Sequence, residues 1–292
     1  MKGRIIKAIA GFYYVAAEPG VYSCKAKGIF RQLKIKPLVG DFVEMEVTHE
    51  GDMEGNITKI LPRANSLVRP AAANIDQALV IFACDKPQPN LVLLDRFLVT
   101  MEHRKIPSLV CFNKTDTVPS ERAAALREMY EQACYPVCCV SAASGDGLKE
   151  LEDALYGKLS VVAGPSGVGK STLINLICPD AQMETGELSA KIERGRHTTR
   201  HSELMRIDEN TYIMDTPGFT CLYLDPDLEE NEVGDCFPEF RPYLDQCRFA
   251  QCSHIAEKEC GVKDALSEGK IGAERYAHYA DIYKEVKESR KY

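Results

Sequence analysis

Eight consecutive residues, Gly164 to Ser171 (GPSGVGKS), carry the most specific chemistry in the chain. Phosphate oxygens are held best by backbone N–H groups that converge from a tight turn, and side chains would obstruct that approach. Gly164, Ser166, Gly167, Val168 and Gly169 supply such a turn, and Lys170 adds a cation for the β- and γ-phosphates. The Ser171 hydroxyl suits Mg²⁺, and Thr172 follows at the start of a helix-like run. A second motif, Asp215 to Gly218 (DTPG), offers a carboxylate for the same ion and a Gly218 N–H for the γ-phosphate. Between them GRHTTR, Gly195 to Arg200, is polar and glycine-bearing, as a switch loop must be. Thr199 is the candidate that completes the Mg²⁺ shell, against the plainer reading of an ordinary loop threonine.

The base is addressed by NKTD, Asn113 to Asp116. A carboxylate at Asp116 accepts from guanine N1–H and the exocyclic amino group, whereas adenine presents an acceptor there, so selection works partly by repulsion. Asn113 would brace the loop, Lys114 would lie along the base plane, and Ser141-Ala142 would offer a backbone contact to the guanine oxygen. Each short motif alone is weak. Together they supply phosphate, metal and base recognition for one nucleotide, GTP or GDP with Mg²⁺.

A third cluster is Cys247, Cys252, His254 and Cys260, spaced C-x4-C-x-H-x5-C. Three thiolates and an imidazole would close a tetrahedral zinc shell with no open position, hence a structural role. Cys236 competes as a ligand, and reduced thiols without metal are the alternative. Twelve cysteines in a chain without an export signal read as thiols and metal ligands rather than disulfides.

These motifs need elements to position them. The runs IDQALVIFAC, IPSLVCFNK, YPVCCVSA, KLSVVAG and TYIMDTPG each end in a polar or glycine-bearing loop, which predicts a buried parallel sheet. LLDRFLVTMEHR, SERAAALREMYEQA and LKELEDAL are its covering helices. The expected fold is multidomain: a β-barrel over 1-63, an α/β P-loop domain over 64-225, and an α-rich zinc-binding domain over 226-292. In the barrel region short strands are punctuated by Gly, Pro, Asn and Asp, and basic residues outnumber acidic ones. Arg31, Lys34 and Lys36 are candidate phosphate contacts; Phe12, Tyr13, Tyr14, Tyr22 and Phe30 either stack on bases or, for most, fill the barrel. Near the C-terminus Tyr276, Tyr279, Tyr283 and Val286 form one helical stripe, a docking face.

The 292 residues are 45% hydrophobic, enough for several cores, and no apolar run reaches membrane-spanning length. The net charge of −7 argues against wholesale nucleic-acid coating and leaves room for local basic faces. We expect a cytoplasmic monomer with no membrane or DNA partner.

The base motifs precede the P-loop, the reverse of Ras-like order. With a barrel in front and a Cys/His cluster behind, GPSGVGKS, NKTD, GRHTT and DTPGF make the chain resemble the circularly permuted GTPases of the ribosome small-subunit-dependent GTPase A (RsgA) family. The resemblance implies an OB-fold barrel, a permuted GTPase domain, one structural Zn²⁺ in the C-terminal domain, and action on the 30S ribosomal subunit and its rRNA late in assembly. Where Ras-like proteins carry a water-orienting glutamine, this chain has Phe219; His197 is the nearest capable side chain, against a plain exposed histidine. Two alternatives remain: a GTPase switch with a non-ribosomal partner, and an RNA-binding module whose nucleotide is structural.

Overall fold

A computed structural model describes residues 1–49, 51–68, 70–183, 202–215 and 224–289, with the backbone alone at Arg31 and His49. His197, Thr199, Gly218 and Phe219 lie outside the described residues. In chain order the first elements are β1 (Lys2–Ile9), β2 (Phe12–Ala17), β3 (Gly20–Ala26), α1 (Ile29–Gln32), β4 (Phe42–His49) and β5 (Glu54–Ile60). A short pair, β6 (Ser66–Leu67) and β7 (Ala72–Ala73), follows. Next come β8 (Gln77–Ala83), α2 (Leu91–His103), β9 (Ser108–Asn113), α3 (Ser120–Gln132), β10 (Val137–Cys139), α4 (Leu148–Leu155), β11 (Leu159–Ala163) and α5 (Lys170–Ile177). The described chain continues with β12 (Ser202–Glu203), β13 (Met205–Arg206), β14 (Tyr212–Asp215), α6 (Gly261–Ser267) and α7 (Ala273–Ser289).

The chain forms two compact units, one of residues 1–77, 152–163 and 171–219, the other of 78–151, 164–170 and 220–292. In the first unit β1 to β5 pair in the order β1-β2-β3-β5-β4, and an antiparallel β1–β4 ladder closes the barrel. The parallel β3–β5 step is the OB-type connection. Alternation along the strands puts Ile5, Val15, Cys24, Val43, Met45 and Ile57 in the barrel core. Gly3 permits the close approach of β1 to β2: a Cβ there would lie 2.5 Å from Val15 Cγ1 and 2.6 Å from the Ala16 carbonyl. Buried Asp41 accepts from Arg63 Nε at 2.7 Å and from the Leu38 N–H at 2.7 Å, anchoring the exit of the barrel. The same unit holds β11 and β14 in parallel, with β13 antiparallel on the outer edge.

In the second unit β8, β9 and β10 run parallel, β9 between the other two. Ala78 to Ala83 and all of β9 are buried, as expected of strands covered on both faces. Helix α2 begins at Asn90, whose side chain accepts from the Leu93 N–H, and it buries Leu94, Phe97 and Leu98. Its Val99 belongs to the core formed by Phe237, Phe240, Val262, Ile271, Tyr279, Ile282 and Val286. The C-terminal segment is therefore packed onto α2 by its own stripe, with Tyr276 and Tyr283 at the margin.

That packing includes a buried charged network. Arg275 is 2% exposed and donates from Nε and Nη2 to Glu239 at 2.8 and 3.1 Å and from Nη1 to Asp95. Asp95, fully buried on α2, also pairs with His278 Nδ1 and accepts from Tyr130 Oη at 3.0 Å. Neither acid stands uncompensated, the condition for keeping such charges inside.

Candidate nucleotide and metal sites

Asn113 closes β9 at 1% exposure and joins three loops. Its Nδ2 donates to the Val168 carbonyl at 2.9 Å, and its Oδ1 accepts from the Lys114 N–H at 2.8 Å and the Ala142 N–H at 3.1 Å. One side chain thus fixes the phosphate loop, the NKTD loop and the Ser141-Ala142 loop relative to one another. Lys114 adopts a left-handed backbone (φ 66°), and its Nζ donates to the Gly167 carbonyl at 2.7 Å and to the Lys86 carbonyl. Its aliphatic stem therefore runs from the base loop to the phosphate loop, the path expected beneath a base. Asp116 sits exposed in the single turn Thr115–Thr117, and its Oδ1 accepts from Ser141 Oγ at 2.6 Å. Ser141 itself is fully buried, so the carboxylate is oriented by a fixed hydroxyl.

The phosphate loop is tight for steric reasons. Gly164 (φ 140°) passes so close to β8 that a Cβ would stand 2.1 Å from the Ile81 carbonyl. At Gly169 (φ 93°) a Cβ would lie 2.4 Å from Asn113 Nδ2. Both positions require glycine, and the second couples the loop to the base motif. Ser166 and Gly167 are exposed, and Val168 is buried as the loop's anchor. Lys170 Nζ donates to the Gly164 and Pro165 carbonyls at 2.9 and 2.7 Å, folded over the loop where a phosphate would compete for it. Lys170 opens α5, with Ser171 and Thr172 in its first turn.

In the first unit Asp215 ends β14 half-buried, in register with Val162 two residues before Gly164. The Ser171 hydroxyl and the Asp215 carboxylate are hard oxygen donors of the kind Mg²⁺ takes. Thr199, Gly218 and His197 are outside the described residues, so their roles are not placed.

Cys247, Cys252, His254 and Cys260 offer ligand atoms that all lie within 4.8 Å of one another. His254 Nδ1 is 3.5 Å from Cys247 Sγ and 3.3 Å from Cys260 Sγ, and those two sulfurs are 3.9 Å apart. Zinc–sulfur bonds of about 2.3 Å in a tetrahedron put sulfurs about 3.8 Å apart, so this donor set fits zinc. Cys236 is buried in the neighbouring apolar core and is not part of the cluster. Burial pushes the Cys252 thiol up to about 12 and lowers His254, so both favour neutral forms and a bound cation would displace the thiol proton. The Tyr276 and Tyr279 hydroxyls donate to the His254 and Ser253 carbonyls at 2.6 and 2.5 Å, fastening this loop to α7. That support was not legible in the spacing of the ligands.

In the barrel a groove of about 690 Å³ is lined by Phe12, Lys25, Lys27, Phe30, Lys34 and Lys36, among others. Tyr13, Tyr22 and Phe30 are buried and Tyr14 half-buried, whereas Phe12 is 40% exposed with Lys25 Nζ 5.0 Å above its ring. Lys25 near the end of β3 and Lys27 just after it line the same groove as Lys34 and Lys36, which follow α1. The Arg31 side chain is outside the description.

Comparison with known proteins agrees with this arrangement. Residues 60–225 match the family model described as RsgA GTPase, and residues 2–57 match that of the RsgA N-terminal domain. The small ribosomal subunit biogenesis GTPase RsgA of Agathobacter rectalis is 52% identical, with both chains fully covered. The protein of that name from Alkaliphilus metalliredigens is 48% identical over 100% of this chain and 99% of its own. Among solved structures, YloQ, described as a circularly permuted GTPase, superposes with a TM-score of 0.83 at 37% identity, covering 99% of this chain and 95% of that one. YjeQ from Thermotoga maritima gives 0.85 at 34% identity, covering 98% of each.

Proposed function

The chain belongs to the RsgA GTPase family, and from that premise we propose that it hydrolyses GTP to GDP and phosphate during late maturation of the small ribosomal subunit, bound to that subunit and stimulated by it. The observation that carries the nucleotide reading is Asn113, whose two polar atoms join the base loops to the phosphate loop. Asp116, Lys114, Ser141 and Ala142 read guanine; Gly164, Ser166, Gly167, Val168, Gly169, Lys170 and Thr172 hold the phosphates, with the Gly218 N–H on the γ-phosphate. Ser171, Asp215 and Thr199 hold Mg²⁺, which neutralises charge on the phosphates when bound. His197 orients the attacking water in place of the glutamine that Phe219 replaces. One zinc bound by the Cys3His set stabilises the C-terminal module, and the protein acts as a cytoplasmic monomer. The lysine groove beside Phe12 contacts rRNA, its cations on phosphates and the ring on a base.

Cosedimentation with purified 30S subunits tests the reading. Binding with a GTP analogue should exceed binding with GDP, and GTP turnover should rise when 30S is added. If turnover stays basal and binding ignores the nucleotide, the ribosomal reading fails. A switch that acts elsewhere would show neither response to 30S, and an RNA module with a structural nucleotide would bind without turnover. His197→Ala should lower stimulated turnover by about 10²-fold or more, the usual worth of a general base or water-orienting group; unchanged stimulated turnover would free His197 of that role.

A further inference from the structure

One strand, β1, serves both the barrel and the segments that border the hydrolysis loops, and it changes partner along its length. Lys2, Gly3 and Arg4 pair with Glu44, Val43 and Phe42 to close the barrel, whereas Lys7 and Ala8 pair with Glu203 and Ser202 of β12. The change coincides with a slip in the β1–β2 ladder: Ile5 is opposite Val15, yet Lys7 is opposite Tyr14. Ile6 is thus the extra residue of a bulge, a device that bends a strand and re-aims its groups. Its carbonyl receives the Leu204 N–H at 2.7 Å, and Lys7 Nζ meets the Glu203 carboxylate at 2.8 Å.

Three residues before Lys7, Arg4 engages the other border. Its guanidinium stands 4.9 Å from the Phe42 ring centre and 5.4 Å from that of Tyr212, with Nη2 donating to the Asn74 carbonyl at 3.0 Å. Tyr212 starts β14, and Asp215 ends it. In the sequence Ser202 stands three residues after Thr199, so β12 and β14 border the two loops assigned to Mg²⁺ and the γ-phosphate. The far end of β1 runs through Ala10 and Gly11 into Phe12, which line the lysine groove. Eight residues of strand span about 27 Å, and β1 is hydrogen-bonded to β2 along one edge and to β4 and then β12 along the other.

We infer that β1 is a positioning element for GTP hydrolysis: through the Ile6 bulge it holds the strands that border both hydrolysis loops, and it couples nucleic acid in the lysine groove to nucleotide turnover. This rests on the reading above that the groove takes rRNA. Lys7, Glu203 and Arg4 act through β12 and β14, not on the nucleotide. Coupling of this kind is reciprocal, so the nucleotide state must also be felt in the groove.

Two measurements on the full chain separate the inference from that reading. The first needs no nucleic acid: amide hydrogen exchange with GDP and with a non-hydrolysable GTP analogue, in wild type, K7E, E203K and the K7E/E203K swap. Like charges opposite one another across a ladder repel, so each single reversal should loosen β12 from β1, and the swap should restore the pair. Exchange at Ile6 to Phe12 should differ at least threefold between nucleotide states in wild type and in the swap, and the difference should vanish in E203K. Equal exchange in both states of wild type, or a difference that survives E203K, overturns the inference. The second compares GTP turnover with and without 30S. The stimulated-to-basal ratio should fall about fivefold in E203K with 30S binding retained, and return in the swap. A ratio that stays high in E203K overturns the coupling while the ribosomal reading stands. Nucleotide-dependent exchange without any 30S stimulation of wild type keeps the positioning role of β1 and refutes the ribosomal reading.

Discussion

Asn113 is the residue that ties the NKTD and Ser141-Ala142 loops to the glycine-rich loop, the frame of the nucleotide site proposed above. Its donor and acceptor are both spent on loop carbonyl and N–H groups inside the fold, so removing it leaves the Val168 carbonyl and two N–H groups without their partner. Unsatisfied buried groups cost about 1–3 kcal/mol. Asn113→Ala should therefore weaken GTP binding roughly 5- to 150-fold, read by calorimetry, with the circular dichroism spectrum unchanged. Gly169→Ala should be worse, because its Cβ would press on Asn113 Nδ2 at a left-handed φ; loss of measurable GTP binding in a folded protein is expected, and near-normal affinity would show that the loop relaxes. NKTD and GPSGVGKS stand out in the sequence because nucleotide chemistry restricts residue types tightly. The tie from Asn113 to Val168 was not legible there, since it joins residues 55 apart that only the fold brings together.

At the scale of elements, the strands and helices followed their apolar periods. Buried β8, β9 and β11 lie in the runs IDQALVIFAC, IPSLVCFNK and KLSVVAG, and α7 turns the Tyr276–Val286 stripe onto its core. What periodicity hides is partner choice. Asp95 reads as one polar residue in LLDRFLVTMEHR, and nothing local announces that its partners are Arg275 and His278, 180 and 183 residues away. Likewise β12 pairs with β1 across 196 residues and is only two residues long. Asp95→Ala should strip one acid from a buried network, leaving His278 and Tyr130 without that partner and Arg275 held by Glu239 alone, at a cost of about 3–5 kcal/mol. Chemical denaturation should show that loss as an earlier midpoint with the slope retained; a shift of less than about 1 kcal/mol would mean that water enters and solvates the network.

For the whole molecule, base recognition comes before the phosphate loop in the chain, yet the loops still meet at Asn113, because a sheet is indifferent to where its chain is cut. A small barrel, the α/β core and a helical stripe at the C-terminus were legible in composition and period; the OB type of the barrel and the ribosome were legible only through family resemblance, since net charge pointed weakly away from nucleic acid. Zinc removal acts at this scale too. A strong chelator should release about one zinc per chain and loosen the Phe237–Phe240–Tyr279 core, seen as lost near-ultraviolet dichroism and faster proteolysis beyond residue 226. A chain that yields no zinc and keeps its spectrum would leave the four ligands as plain thiols and a histidine.

The most direct test of the account is calorimetric titration of the purified chain, and of Asp116→Ala, with GTP and with ATP in the presence of Mg²⁺. Wild type should bind GTP and discriminate against ATP by at least 10²-fold, and Asp116→Ala should lose GTP affinity by roughly 10- to 150-fold, the worth of hydrogen bonds to a charged acceptor. Equal binding of GTP and ATP, or an Asp116→Ala variant indistinguishable from wild type, would contradict a guanine site assembled by these loops.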